Sequence, residues 1–181
     1  METKIFGDKK LTISPMSVKD LKCAKEYMDF INELIVEDAK LLMNVKQSIK
    51  DEQGWVEKVV KQVKNKQKVF LIAHDGKKIA GNVSFEMLTF RKNHIARMGI
   101  AIAKEHRGAG LGKYLVTEII KLAKRELKPT PKFLQLEVYE NNKPAIALYK
   151  KMGFKIVAKI PKQMQWKGKL VGEYIMMRPV K

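Results

Sequence analysis

The six residues Arg107-Gly108-Ala109-Gly110-Leu111-Gly112 constrain this chain more than any other stretch. They separate two segments of different periodicity. Before them, His94 to Ile102 reads as an alternating, mostly apolar run. After them, Leu111, Leu115, Ile119, Leu122 and Ala123 recur at roughly 3.6-residue spacing. A strand therefore enters a glycine-rich turn and an amphipathic helix leaves it. Glycines let the backbone take positive φ and approach a ligand closely. The first N–H groups of the helix have no partner within it, and the helix dipole favours negative charge beside them. The stretch reads as a site for a phosphate-bearing molecule; the plain alternative is a tight turn that merely ends a strand. It is not a P-loop, because Arg107 stands at the first glycine and Tyr114 at the magnesium-binding hydroxyl. It is not a dinucleotide fingerprint either, because Lys113 stands where the third glycine belongs.

Charge narrows the partners less than its size suggests. The net charge is +18, but arginine appears only at 91, 97, 107, 125 and 178, and the lysines are scattered along the chain. Scattered charge describes a solvated surface better than a dedicated polyanion face. With 181 residues, 45% apolar and 31% charged, the chain suits one soluble globular domain spanning 1–181. No apolar run is long enough to span a bilayer, so no membrane partner is expected. The start Met1-Glu2-Thr3-Lys4 lacks an apolar signal core, and a cytoplasmic location is the expectation. Cys23 is the single cysteine, so no intrachain disulfide forms, and its helical context suggests a core thiol. His74, His94 and His106 lack ligand spacing, and no metal is expected.

Taken in order, Leu11-Thr12-Ile13 is a short strand ended by Ser14-Pro15. Ser17, with Asp20 three residues on, opens a helix whose apolar face runs Leu21, Ala24, Met28, Ile31, Leu34. In 35–50, Leu41, Leu42 and Val45 suggest a helical turn without a defined cap. Asp51 is the expected N-cap of a second helix facing inward through Val56, Val59, Val60 and Val63. Val69 to Ala73 is a strand, Asp75-Gly76 a hairpin turn, and Ile79, Gly81, Val83, Phe85 and Met87 alternate in the next strand. Asn93-His94 turns into the strand that ends at the glycine loop. The following helix runs to about Leu127 and is stopped by Pro129-Thr130-Pro131. Phe133 to Val138 is then a strand parallel to 95–103 in a βαβ unit. A short helix with Ala145, Ile146, Leu148, Tyr149 and Met152 ends at Gly153. Phe154–Ala158 is a further strand, Lys167-Gly168 a turn, and Tyr174 to Met177 closes the sheet.

Two stretches carry a family resemblance. Arg107, Gly110 and Gly112 meet the pattern [RQ]-x-x-G-x-[GA], and Leu136 to Phe154 matches L-E-V-x-x-x-N-x-x-A-x-x-L-Y-x-x-x-G-F at every fixed position. Together they resemble the two signatures of GNAT N-acetyltransferases, looking most like the ribosomal-protein and peptide N-terminal acetyltransferases. The resemblance spans roughly 11–178 and is weakest over 35–66. It implies the acyl-CoA N-acyltransferase fold, a mixed α/β (α+β) class. Its central, mostly antiparallel sheet has one splayed parallel strand pair and is flanked by helices.

The same resemblance implies the chemistry. Acetyl-CoA is the implied co-substrate and an amine the acceptor: a protein N-terminus, a lysine or a small molecule. Coenzyme A would enter the splay, with the backbone of Ile100, Ala101 and Ile102 pairing with its pantetheine. Arg107, Gly108, Ala109, Gly110, Leu111, Gly112 and Lys113 would hold the pyrophosphate, and Asn142 matches the family's cofactor-contacting asparagine. Tyr149 matches the general acid that protonates the departing thiolate. Glu137 is the candidate base: a carboxylate inside an apolar strand has a raised pKa if buried, and otherwise is an ordinary solvent-facing sheet residue. Glu86 and Glu140 are reserves; His106 reads as a surface-loop residue. The two early helices would shape the acceptor pocket, and fold analogy implies a homodimer through the C-terminal strands. The competing expectation is a basic nucleic-acid- or ribosome-binding module on the same scaffold. An interleaved aromatic platform is lacking, and the intact Tyr149 argues for chemistry.

Overall fold

In the computed structural model, which describes residues 1–180, the alternating segments pair into one eight-stranded sheet. The strands are β1 (Glu2–Phe6), β2 (Lys9–Pro15), β3 (Lys68–Asp75), β4 (Lys78–Met87), β5 (Ile95–Ile102), β6 (Phe133–Tyr139), β7 (Lys155–Trp166) and β8 (Lys169–Pro179). Their spatial order is β1-β2-β3-β4-β5-β6-β8-β7, and only β5 and β6 run parallel. The helices are α1 (Ala24–Val36), α2 (Ile49–Lys64), α3 (Leu111–Glu126) and α4 (Lys143–Lys151).

One face of the sheet packs on α3 and α4 through Leu115, Ile119, Tyr149 and Phe154. The other packs on α1 and α2, where Tyr27, Phe30, Val56 and Val59 meet Phe70 and Ile72. These two helices cover the β2–β4 side, so the polar residues of β4, β5, β6 and β8 on that face line an open groove.

The decisive irregularity is in the parallel pair. β5 and β6 are in register only at Ile95–Arg97 against Phe133–Gln135. Beyond that, β5 stays bonded to β4 through Ile102, while β6 follows β8 through Tyr139 against Glu173. The strands part, as the expected splay requires.

Several expectations are corrected. β1 extends the sheet beyond Leu11–Ile13; as an exposed edge strand with a single neighbour it carries no hydrophobic alternation. The buried face of α1 is Ala24, Tyr27, Phe30 and Leu34. Leu21 lies on a separate 3-10 turn, Val18–Lys22, and is exposed. Cys23, at the junction, is half-buried. Ser48, not Asp51, caps α2; Asp51 is the reciprocal partner in a capping box. Residues 37–48 form no helix, and Leu42 and Val45 are exposed. β8 does not close the sheet, because it lies between β6 and β7 and leaves β7 outermost.

α2 also carries a testable cost. Glu52 is 6% exposed, and burial, helped by Asp51, pushes its carboxyl from 4.5 up to about 7. Between those values the folded protein holds a proton that the unfolded chain releases, so this group lowers stability as pH rises from about 4.5 to about 7. Glu52→Gln is expected to raise the unfolding free energy by about 2 kcal/mol at pH ~8 and by little at pH ~4. Urea denaturation at the two pH values measures it; equal effects at both would contradict the assignment.

Candidate active site

The glycine loop lies where the sequence places it, between β5 and α3. Gly108 has φ +82° and Gly110 φ +92°, a backbone only glycine adopts readily. Gly110 is the N-cap of α3, and no side chain caps the helix. Its first N–H groups and dipole are therefore presented at the mouth of a cavity.

That cavity, of about 840 Å³, is lined by Ile100, Ala101, Ile102, Arg107, Gly108, Gly110, Gly112, Lys113, Asn142 and Tyr149 among others. Ten of the expected site residues thus come together. Leu111 is fully buried and faces the core, leaving only its backbone for a ligand. Ala109 is absent from the cavity wall; its methyl faces Gly7 in the β1–β2 turn. The Arg107 guanidinium donates to the Ile102 carbonyl at 2.9 Å and pairs closely with Glu37, tying the loop to the end of α1. Lys113 is exposed, and the Asn142 side chain does not cap its own helix α4. The donor set of helix N–H groups, a free lysine and a free strand edge fits an extended phosphate-bearing co-substrate.

Glu137 lies elsewhere. It lines a second cavity of about 730 Å³ on the α1–α2 face of the sheet. It is exposed, not buried, because alternation turns Leu136 and Val138 to the core and Glu137 away from it. Gln135 Nε2 donates to it at 3.0 Å. Of the reserves, Glu86 accepts from Lys68 Nζ and Gln62 Nε2, each at 2.9 Å. Burial raises its carboxyl, but Lys68 and Gln62 more than offset this and hold it below the ordinary value. Glu140 is committed to Lys159 and the Gly172 N–H, which hold its carboxyl low, and it lines neither cavity. His106 is no surface residue: it is buried, with Nε2 3.6 Å from the Asp75 carboxylate.

The two cavities share Lys40, Leu41, Ile100, Ala101, Asn142 and Tyr149. Tyr149 is 6% exposed, and burial pushes its phenol up to about 12. Residues 37–47 strap the junction. Tyr139 Oη donates to the Leu41 carbonyl at 2.8 Å, Trp166 Nε1 donates to the Asp38 carbonyl at 2.9 Å, and Lys40 Nζ lies 4.5 Å from the Trp166 ring centre.

Sequence reasoning missed this strap and, among the charged residues of the second cavity, Arg97 and Glu173. Both carry the signal that marked Glu137, an ionisable residue inside an alternating strand. Burial, then the Glu137 carboxylate, raises the Glu173 carboxyl above its ordinary value.

Fold and site define an α/β protein with a cavity where two parallel strands part, beside a glycine loop and an uncapped helix start. The Acetyltransferase (GNAT) family model matches residues 34–154. The chain is 29% identical over 125 residues to L-amino acid N-acetyltransferase AaaT of Escherichia coli (strain K12), covering 68% of this chain and 74% of that protein. A GNAT-family acetyltransferase from Streptococcus pneumoniae superposes with TM-score 0.81 at 26% identity, covering 94% and 99% of the two chains. The yncA protein of Salmonella typhimurium, solved with its cofactor acetyl-CoA, shares the fold with TM-score 0.78 at 17% identity and 94% coverage of both chains. The chain belongs to the GNAT acetyltransferase family. Among the described residues, no helix is long and apolar enough to cross a membrane.

Proposed function

We propose that this protein transfers the acetyl group of acetyl-CoA to a primary amine by direct attack within a ternary complex. The reading rests on one observation: a cavity suited to the donor and a polar cavity suited to an acceptor meet at Ile100, Ala101, Asn142 and Tyr149.

Acetyl-CoA supplies an activated acyl group. The uncapped start of α3 and Lys113 bind its phosphates, and the β5 edge from Ile100 to Ile102 aligns its amide-bearing arm. Asn142, at the junction, orients that arm. On the other side the Glu137 and Glu173 carboxylates hold the incoming ammonium. One of them, directly or through water, takes its proton so that a neutral amine attacks. The amine nitrogen then bonds to the acetyl carbon while the carbon–sulfur bond breaks. The Tyr149 hydroxyl stabilises and protonates the departing thiolate, and the proton shed by the nitrogen as it becomes an amide returns through water to the Tyr149 oxygen. Like charge is expected to make the +18 protein a poor spermidine acetyltransferase at physiological salt.

Calorimetric titration of acetyl-CoA at low and moderate salt, followed by thiol-release assays across amines, tests the reading. One-site binding that survives moderate salt, with turnover on an amine, is the expected result. Absence of binding by the folded protein would overturn it. Small amines come first, since the AaaT relative is named for L-amino acids.

A further inference from the structure

We propose that Arg97 binds a carboxylate of the acceptor, making the substrate class free α-amino acids. This rests on the acetyl-transfer reading above.

The second cavity is polarised. Arg97 on β5 lines one wall; Glu137 on β6 and Glu173 on β8 line the other. Arg97 is in register with Gln135, and Glu137 is two residues further along β6. Ordinary strand spacing separates the Arg97 and Glu137 Cα atoms by roughly 8 Å, and the splay widens this. Both side chains rise from the same face of the sheet, so their charged ends flank a space of that order, the scale of one small zwitterion.

The charges nearest Arg97 are already committed. Its cross-strand neighbour Glu86 is held by Lys68 and Gln62, each at 2.9 Å. No ion pair among the described residues includes Arg97, though its field reaches Glu86. Lys40, another cation lining this cavity, donates to the Asn141 carbonyl at 3.3 Å and sits over Trp166. The guanidinium is therefore the cavity's available anion-binding group, and its planar fork matches a carboxylate. The facing acidic pair has a hydrogen bond from Gln135 to Glu137 and no cation among the described residues.

An α-amino acid satisfies both walls at once: ammonium at Glu137 and Glu173 beside Tyr149, carboxylate at Arg97. A polyamine would press a second cation against Arg97. A peptide N-terminus would offer it an uncharged carbonyl.

Thiol release from acetyl-CoA is measured with the proteinogenic L-amino acids and with their carboxamides, using wild type, Arg97→Ala and Arg97→Lys. For the best acid, wild type is expected to prefer the free acid over its carboxamide by about 100-fold in kcat/KM, since a site built for a polar group rejects the analogue lacking it. Arg97→Ala is expected to bring that ratio within about fivefold of unity, chiefly through KM, and Arg97→Lys to keep part of it. A purely structural role for Arg97 would leave the ratio unmoved. Wild type that accepts carboxamides as readily as acids, or a preference that survives Arg97→Ala, would overturn the proposal. So would rejection of both sets by protein that binds acetyl-CoA, leaving acetyl transfer intact. Failure to bind acetyl-CoA would overturn the acetyl-transfer reading and this inference with it.

Discussion

Replacing Tyr149 by Phe is expected to lower kcat about 100-fold to 1,000-fold while the acetyl-CoA Kd changes less than about threefold. The residue is buried where the two cavities meet, so the proposed donor and acceptor would both lie within its reach. Its phenol, pushed up to about 12, lies about 3.5 units above an ordinary thiol near ~8.5. Complete proton transfer to a solvated thiolate would thus be uphill by about 5 kcal/mol. The step becomes favourable only as sulfur departs into the same desolvated site, where burial raises the thiol as well. The Tyr149 O–H therefore acts as a hydrogen bond that strengthens while charge grows on sulfur, which makes its loss a kcat effect. The shift also has a sign. A phenol raised from 10 to about 12 stays protonated through pH ~10, so no alkaline fall in kcat below that pH comes from Tyr149. Single-turnover kinetics with saturating acetyl-CoA measure the effect; a Phe variant within threefold of wild type would remove Tyr149 from the chemistry.

Gly110→Glu is expected to weaken acetyl-CoA binding by more than about 100-fold, with the protein still folded. A Cβ at Gly110 meets no heavy atom within 4 Å, so packing does not oppose a side chain. The φ of +92° does, at a cost of about 1–3 kcal/mol. Most of the expected loss is electrostatic: a carboxylate at the uncapped start of α3 competes for the N–H groups that the phosphates would use. Gly110→Ala separates the terms, because it carries the strain without the charge; a loss of about tenfold is expected. Calorimetry on both variants, with melting curves as the folding control, measures this. Wild-type affinity in Gly110→Glu would reduce the loop to a turn.

How much of this was legible in the sequence depended on whether the information was local. The glycine loop needs particular φ angles and an uncapped helix start, which short-range residue choice dictates. Gly153, at φ +84° after α4, and the Lys167-Gly168 turn, at φ +50° and +70°, were readable for the same reason. The α1 face was misjudged because Cys23 separates a 3-10 turn from the helix and shifts Leu21 out of phase. Over residues 37–48 the helical turn suggested by Leu41, Leu42 and Val45 does not form, because distant partners hold the segment. Asn32 exchanges two hydrogen bonds with Gln47, at 2.8 and 2.9 Å, while Tyr139 and Trp166 reach in from β6 and β7.

By itself, the sequence determined the family signatures, the strand–loop–helix that presents an anion site, and Tyr149 as the residue to test, because each depends on neighbours a few positions away. Only the tertiary structure decided what lines the cavity proposed for the acceptor. The parting of β5 from β6 arises because β4 and β8 each claim one of them. That parting joins two cavities and sets Arg97, Glu137 and Glu173, from three different strands, around one volume. Charge placed by strand pairing across the chain has no local pattern, which is why the proposed donor site could be read from the sequence and the proposed acceptor site required the sheet.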